Sequence, residues 1–398
     1  MSEKPAVLGG KPAFKETLPI VKPPIEAIIE RTLLDYRQIL ESGMLTNFEY
    51  VQGLEKAVAN YIGVNYCIAT ANCTSALMLT LKALNIKDGE VLIPSFTFPA
   101  TAHAVQWSDL KIRLVDCDPY TFNIDVASLQ EKVTNNSRVI MPVHVFGNPC
   151  DIKAISEFAR DHDLRVMYDA AHAFGAKYNG VNIGQFGDAE VFSGSPTKVF
   201  TTVEGGLVTT DNAEIVDKVK IGRNYGHHGN YDCEIPGLSA RMSELHAALG
   251  LNLLPRVVLG IERRNNVAEK YKEGLSKLPG IRFQKITANC TSSYKDFAIL
   301  ISKEKFGLSR DELVFCLEKE NVMTRTYFYP PLHMQTCYPE LRANDKAFPN
   351  TTYIAKNIVC LPMFSDLTDE QVEGVIEAIT KIHEHAEAIR FALHREKR

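Results

Sequence analysis

The stretch AEVFSGSPTKVFTTVEGGLVTTD (189–211) decides how the rest of the chain is read. Two apolar, β-branched-rich runs, 189–195 and 206–211, flank a short loop that carries Lys198 and closes on Gly205-Gly206. Runs of this length bounded by Gly, Ser or Asp read as strands buried on both faces. The gap between them is too short for a helical crossover, so one of the two is expected to run antiparallel. Working back along the chain, LRVMYDA (164–170), RVIMPVHVFG (138–147), KIRLVD (111–116), EVLIPS (90–95) and YCIAT (66–70) repeat the pattern, several of them with helix-length gaps between. The alternation predicts an α/β fold with a mostly parallel seven-stranded sheet.

Around 250–270 the pattern turns helical, in AALGLNLLPRVVLGIERRNNVAEKY, and KDFAILI (295–301) follows as a strand candidate. Thr368 and Gln371 form a capping box for a last helix whose Val372, Val375, Ile376, Ile379 and Ile382 make an apolar face. We therefore expect an N-terminal arm at 1–24, a large α/β domain at 25–250 and a smaller α+β domain at 251–398. No internal repeat or low-complexity segment interrupts them.

Composition narrows the function. The 398 residues are 45% hydrophobic and 23% charged, as in ordinary globular proteins, which excludes disordered, collagen-like and coiled-coil chains. With 44 Lys plus Arg against 48 Asp plus Glu, the net charge of -4 lacks the basic excess of a nucleic-acid or anionic-membrane binder. The nine cysteines (67, 73, 117, 150, 233, 290, 316, 337 and 360) form no CxxC pair, so neither a zinc site nor a disulfide framework is expected. Free thiols in a reducing cytoplasm are the expected state. The start MSEKPAVLGGKPAF has no apolar signal core, and LNLLPRVVLGI is broken by Pro255 and Arg256 before it reaches membrane-spanning length.

Candidate chemistry gathers at the strand ends. Lys198 follows a buried strand; an exposed loop lysine is the plain reading, and a desolvated nucleophile that attacks a carbonyl is the functional one. Asp169 ends the run LRVMY; it reads either as a helix cap or as the partner of a pyridinium nitrogen, the role an Asp plays in pyridoxal phosphate sites. Asn72-Cys73-Thr74-Ser75 precedes a helix, as a simple cap or as a cradle for an anionic phosphate. Phe98, after the next strand, is a core residue or a platform for a flat ring.

Together these motifs, with VLIPSFTFPATAHAV, YDAAHAFGA, FSGSPTKVFTTVEGGLVTTDN, GLSARMSELHAALGLNLL and TYFYPPLH, resemble the DegT/DnrJ/StrS sugar aminotransferases over nearly the whole length. The resemblance implies the type I fold of pyridoxal-phosphate-dependent transferases and pyridoxal 5'-phosphate as cofactor. It implies that Lys198 links to the cofactor covalently, Asp169 pairs with the ring nitrogen, and Phe98 stacks on the ring. His172 falls near the phenolic oxygen, and Cys73, Thr74 and Ser193 fall at phosphate-binding positions. A homodimer is implied as well, with Ser239 reaching the other subunit's phosphate from GLSARM. The family has Asn where Ser239 stands and Gly where Cys73 stands, and a Cys there can donate its N–H only if no positive φ is required.

The resemblance further implies transfer of an amino group from glutamate to a nucleotide-linked keto-sugar, in deoxyamino-sugar biosynthesis for O-antigen or another glycan. The arm, LTNFEYVQGLE (45–55), VFGNPC and TRTYF look most like enzymes that aminate C4 of dTDP-4-keto-6-deoxyglucose. Amination at C3, a UDP- or GDP-linked substrate, and a non-catalytic regulator of the same fold are the alternatives. HEHAE (383–387) lacks zinc-protease spacing and reads as a solvated helix face. His227-His228 read equally as a loop near the substrate or as a plain surface loop, and His333 as a residue of the site entrance without chemistry.

Overall fold

The computed structural model describes residues 4–396, and side chains to residue 393. Its main sheet takes strands β1 (Tyr66–Thr70), β2 (Glu90–Pro94), β3 (Lys111–Val115), β4 (Ser137–Ile140) and β5 (Arg165–Asp169). A two-strand ribbon, β6 (Lys177–Tyr178) and β7 (Val181–Asn182), precedes the last two, β8 (Ala189–Ser193) and β9 (Gly206–Thr210). The seven-stranded order is β1-β9-β8-β5-β4-β2-β3. Only β9 is antiparallel, to both β1 and β8, and the other pairs are parallel. The short 194–205 loop forces this reversal, as the spacing of the two runs predicts.

β2, β8 and β9 are buried at every position, which is why their sequences show no alternation. The run 138–147 departs from expectation, since only its first three residues belong to β4. Pro142 has no N–H to give to the ladder. Its carbonyl instead accepts from the Asp169 amide at 2.9 Å, and His144 N–H donates back to the Asp169 carbonyl at 3.2 Å. This irregular pairing sets the backbone of Asp169 at the carboxyl end of the sheet.

A second sheet is antiparallel and three-stranded: β10 (Ile281–Phe283), β12 (Phe297–Ile301) and β13 (Ile358–Leu361), in the order β10-β12-β13. Between β10 and β12 in sequence, β11 (Cys290–Thr291) joins the β6–β7 ribbon. The capping box at Thr368 forms as expected, and Val372, Val375, Ile379 and Ile382 are fully buried while Ile376 is only partly so. The first residues lie against this part of the chain. Ala6 and Ala13 N–H donate to the two carboxylate oxygens of Glu320 at 2.7 and 2.8 Å, and Leu18 bridges to Val322.

The helical run 244–275 is, among the described residues, the one long and apolar enough to cross a membrane, yet half of its most apolar window is buried inside the protein. It passes through a 3-10 turn at Leu254–Arg256 and carries residues of two apolar clusters, Val257 and Ile261 in one, Val267, Ala268 and Tyr271 in the other. At its start, Glu244 is 1% exposed and accepts from the amides of Phe48 (2.7 Å), Tyr50 (2.7 Å) and Val51 (3.2 Å). It thereby caps the helix Glu49–Ile62, whose own preceding residue supplies no side-chain cap. Glu244→Ala is expected to strand three amides and to cost about 3 kcal/mol in urea unfolding. A loss below about 0.5 kcal/mol would contradict that account.

Two histidine expectations are corrected. His333 is fully buried, bonded to Ser95 Oγ (2.7 Å) and Thr352 Oγ1 (3.3 Å), and so belongs to the core and not to an entrance. His383 does not stand on a solvated face: its Nδ1–H donates to the Phe306 carbonyl at 2.9 Å, because the last helices fold back over that turn.

Candidate active site

Ligands of open α/β sheets gather outside the carboxyl ends of the strands. There the chain encloses a cavity of about 400 Å³ that brings together Cys73, Thr74, Phe98, Asp169, His172, Ser193 and Lys198. Ser239 is outside it, exposed and bridged to Asn224, so one chain does not bring it to the site.

The open end of the helix Cys73–Ala83 forms one wall. Asn72 is its cap: the side-chain oxygen accepts from Ser75 N–H at 2.8 Å and the carbonyl from Ala76 N–H at 3.1 Å. The amides of Cys73 and Thr74 are left without an intrahelical acceptor. Cys73 is not among the positive-φ residues, so the departure from Gly carries no backbone strain. Burial pushes its thiol well up, as does Asp169, so it is a thiol and not a thiolate. Gly206 of β9 passes under this turn, where a Cβ would collide with the Asn72 carbonyl and the Thr70 hydroxyl.

Asp169 is 5% exposed. Oδ2 accepts from Thr101 Oγ1–H at 2.8 Å and Oδ1 from Ala171 N–H at 3.1 Å, with no cation in bonding contact. Burial raises its pKa; the Thr101 and Ala171 hydrogen bonds, and more distantly Lys198, oppose the rise. A desolvated carboxylate with two neutral donors and no cation is poised to take a protonated ring nitrogen.

The loop that carries Lys198 is tied at its base. Gly194 N–H donates to the Gly205 carbonyl (2.8 Å) and Thr202 N–H to the Gly194 carbonyl (2.8 Å), which fixes where the lysine leaves the sheet. Burial, then the charge of Lys295, pushes the Lys198 ammonium down to about 8. In cofactor-free protein, capture of an aldehyde by Lys198 is therefore expected to rise about tenfold per pH unit and level off near pH 8. An ordinary lysine would go on rising to beyond pH 10. Borohydride trapping at a series of pH values measures the profile, and a rise unbroken to pH 10 would refute the shift.

Burial, helped by the charges of Lys198 and Lys295, holds His172 well below its ordinary range, so it is neutral. Its Nδ1 accepts from Phe146 N–H at 3.2 Å, which places the remaining proton on Nε2 as a donor. Phe98 is 57% exposed, with a free face for a flat ring. An open helix end for a phosphate, an unpaired carboxylate for a pyridinium, an amine of lowered pKa for an aldehyde and a free aromatic face together fit pyridoxal phosphate.

Sequence reasoning missed Thr101, which holds Asp169, and the cavity residues Lys295, Asp296, Tyr327 and Phe328. The signal available for two of them was a pair of opposite charges, Lys295-Asp296, set directly against the uninterrupted apolar run FAILI, where solvent-facing charges are unexpected.

Comparison with known proteins points to one family. The model of the DegT/DnrJ/EryC1/StrS aminotransferase family matches residues 26–380. The dTDP-4-amino-4,6-dideoxy-D-glucose transaminase of Shigella dysenteriae is 35% identical over 332 residues, 83% of this chain and 89% of that one. The dTDP-3-amino-3,6-dideoxy-alpha-D-galactopyranose transaminase of Aneurinibacillus thermoaerophilus is 33% identical over 346 residues, 86% and 93% of the two chains. The crystal structure of DesI in the presence of its TDP-sugar product superposes with a TM-score of 0.90 at 31% identity, covering 99% of each chain.

Proposed function

We propose, from the premise that this chain belongs to the DegT/DnrJ/EryC1/StrS aminotransferase family, that it moves the amino group of glutamate to C4 of a nucleotide-linked 4-keto-6-deoxyhexose, giving dTDP-4-amino-4,6-dideoxyglucose. The enzyme is a pyridoxal-phosphate-dependent aminotransferase. The observation that carries the site assignment is the pairing, in one cavity, of an amine of lowered pKa with a buried carboxylate that lacks a cation. The C4 choice is supported by likeness to the Shigella enzyme and to DesI; the Aneurinibacillus relative keeps amination at C3 as the second reading.

In this reading the Cys73 and Thr74 amides and the Ser193 hydroxyl hold the phosphate, and Ser239 adds to it from the other subunit. Phe98 would cover one face of the ring, Asp169 would take the ring nitrogen, and His172 Nε2–H would donate to the phenolic oxygen. Bound pyridoxal phosphate supplies an aldehyde that carries the amino group and a ring that accepts electrons. Thr101 and Ala171 fix the Asp169 carboxylate in one orientation, so its charge needs no rearrangement when used. With the cofactor bound, Lys198 Nζ, largely neutral above pH 8, would be the base that takes the proton from the donor's α-carbon and holds it for return. Once the donor has left as its keto acid, the same residues would serve the second half-reaction in reverse, in which the amino group replaces the carbonyl oxygen of the keto-sugar.

A homodimer is part of the proposal. Ile29, Leu33, Leu34, Leu40, Met44 and Leu45 are between 43% and 62% exposed on and just after the helix Ile29–Ser42, an apolar surface that suits a subunit contact. The division at 24 and 250 and a cytoplasmic location, which the free cysteines suit, belong to the same reading; the two main sheets have separate apolar clusters, the first running on to Ile261 and the second taking in Leu18. The test incubates the enzyme with glutamate and dTDP-, UDP- and GDP-linked 4-keto and 3-keto sugars, locates the new amine by NMR and weighs the active species by light scattering. Amination at C4 of the dTDP sugar by a dimer is expected. A C3 product, exclusive use of another nucleotide or an active monomer would overturn the corresponding element.

A further inference from the structure

The cavity contains an ion pair to which the steps above give no task. Lys295 Nζ lies 2.8 Å from Asp296 Oδ1, and both side chains are 5% exposed. Lys295 Nζ also stands 5.1 Å from the centre of the Tyr327 ring, so its stem and head are packed against the wall. An ammonium has three N–H donors, and Asp296 takes one.

Behind the pair, Arg264 is wholly buried and donates to the Tyr294 carbonyl at 2.9 Å and to the Met363 carbonyl at 3.2 Å. Burial pushes its guanidinium down to about 10, against the opposing charges of Asp296 and the exposed Asp366. Two polar atoms here find no partner, Arg264 Nη2 and Asp296 Oδ2. Asp296 is thus one buried carboxylate set between two cations, Lys295 toward the cavity and Arg264 toward the core. Two of the three Lys295 N–H donors are not taken by Asp296 and remain beside the cavity. With Lys198 engaged by the cofactor and His172 neutral, Lys295 is the remaining cation among the described lining residues.

An amino-acid donor must bring its α-carboxylate into this enclosed space, and a desolvated carboxylate needs a cationic hydrogen-bond donor. We propose that Lys295, held in place by Asp296 and Tyr327, is the positioning residue that receives the α-carboxylate of the amino donor. This rests on the reading of the cavity as an aminotransferase site. It assigns donor selection to the turn before β12 and leaves the nucleotide-sugar to other surfaces.

The test compares glutamate with 4-aminobutyrate, which lacks the α-carboxylate, in the donor half-reaction of the holoenzyme, read as loss of the cofactor's visible band. Wild type is expected to prefer glutamate at least about 100-fold, and Lys295→Met to retain a preference of about tenfold or less. Lys295→Arg is expected to restore part of it. A second readout needs no turnover: calorimetric titration of glutarate should show binding to wild-type holoenzyme that weakens at least about tenfold in Lys295→Met. Lys295→Gln carries both measurements if the methionine variant does not accumulate.

An unchanged preference together with unchanged glutarate binding overturns the assignment, as does an equal loss with both amines, which marks a merely structural role. The donor half-reaction involves no sugar, so failure of the C4 assignment leaves it readable. A wild-type band that no amino acid alters defeats the aminotransferase reading itself. A band that glutamate bleaches, with the preference unchanged in the variant, defeats only the role of Lys295.

Discussion

Replacing Lys198 by alanine is expected to lower turnover by about ten-thousand-fold or more, the largest effect of any single change in the cavity. In the proposed mechanism the lysine has two tasks that no neighbour duplicates: the covalent hold on the cofactor and the proton transfer between carbons. The other lysine of the wall, Lys295, is tied to Asp296. The variant should still take up pyridoxamine phosphate, because the open helix end and Asp169 remain, but borohydride should fix no cofactor to the protein. Tryptic mapping after reduction checks this. A reduced adduct on another residue with turnover preserved would show that Lys198 is only a loop residue.

Asp169→Asn is expected to lower kcat by roughly a hundred- to a thousand-fold. Shape is nearly conserved, but the charge facing the ring nitrogen is lost, while the Thr97–Thr101 hydroxyl pair at 2.9 Å keeps its place. Stability should move the other way. Burial raises the Asp169 pKa above its unfolded value, so at neutral pH the ionised carboxylate is a burden on the cofactor-free fold, and the amide removes it. Cofactor-free Asp169→Asn should therefore melt no lower than the parent while its activity falls. Parallel losses of activity and melting temperature would reassign Asp169 to a structural role.

Much of this arrangement was legible in the sequence because strands buried on both faces leave contiguous apolar runs, and because the residues that follow them must lie at a sheet end. That places Cys73, Phe98, Asp169 and Lys198 without knowledge of the sheet order. The run at 138–147 was overextended because an apolar stretch carries no mark of where its ladder stops, apart from Pro142. Lys295 and Asp296 escaped notice for a different reason. A Lys-Asp pair before a strand resembles a solvated turn, and only the packing of the β10-β12-β13 sheet against the cavity wall removes it from water. His333 was misplaced similarly, since its burial depends on Ser95 and Thr352, 238 and 19 residues away in sequence.

The antiparallel strand β9 has a bearing on the order of assembly. β1 lies at the margin of the sheet with β9 as its sole neighbour, and Tyr66 is paired with Thr210, 210 − 66 = 144 residues later. At roughly 5–20 residues per second of synthesis, β1 therefore waits on the order of ten seconds for a strand to pair with. The helix that opens at Cys73 waits as long for the backbone of Gly206 to close beneath its first turn. If the first turn of that helix is the phosphate cradle proposed above, cofactor capture belongs to the end of folding, after the chain has supplied both the strand beneath it and, later still, the Lys295 wall. Such a chain depends on long-range contacts and favours slow folding with a transiently open strand edge.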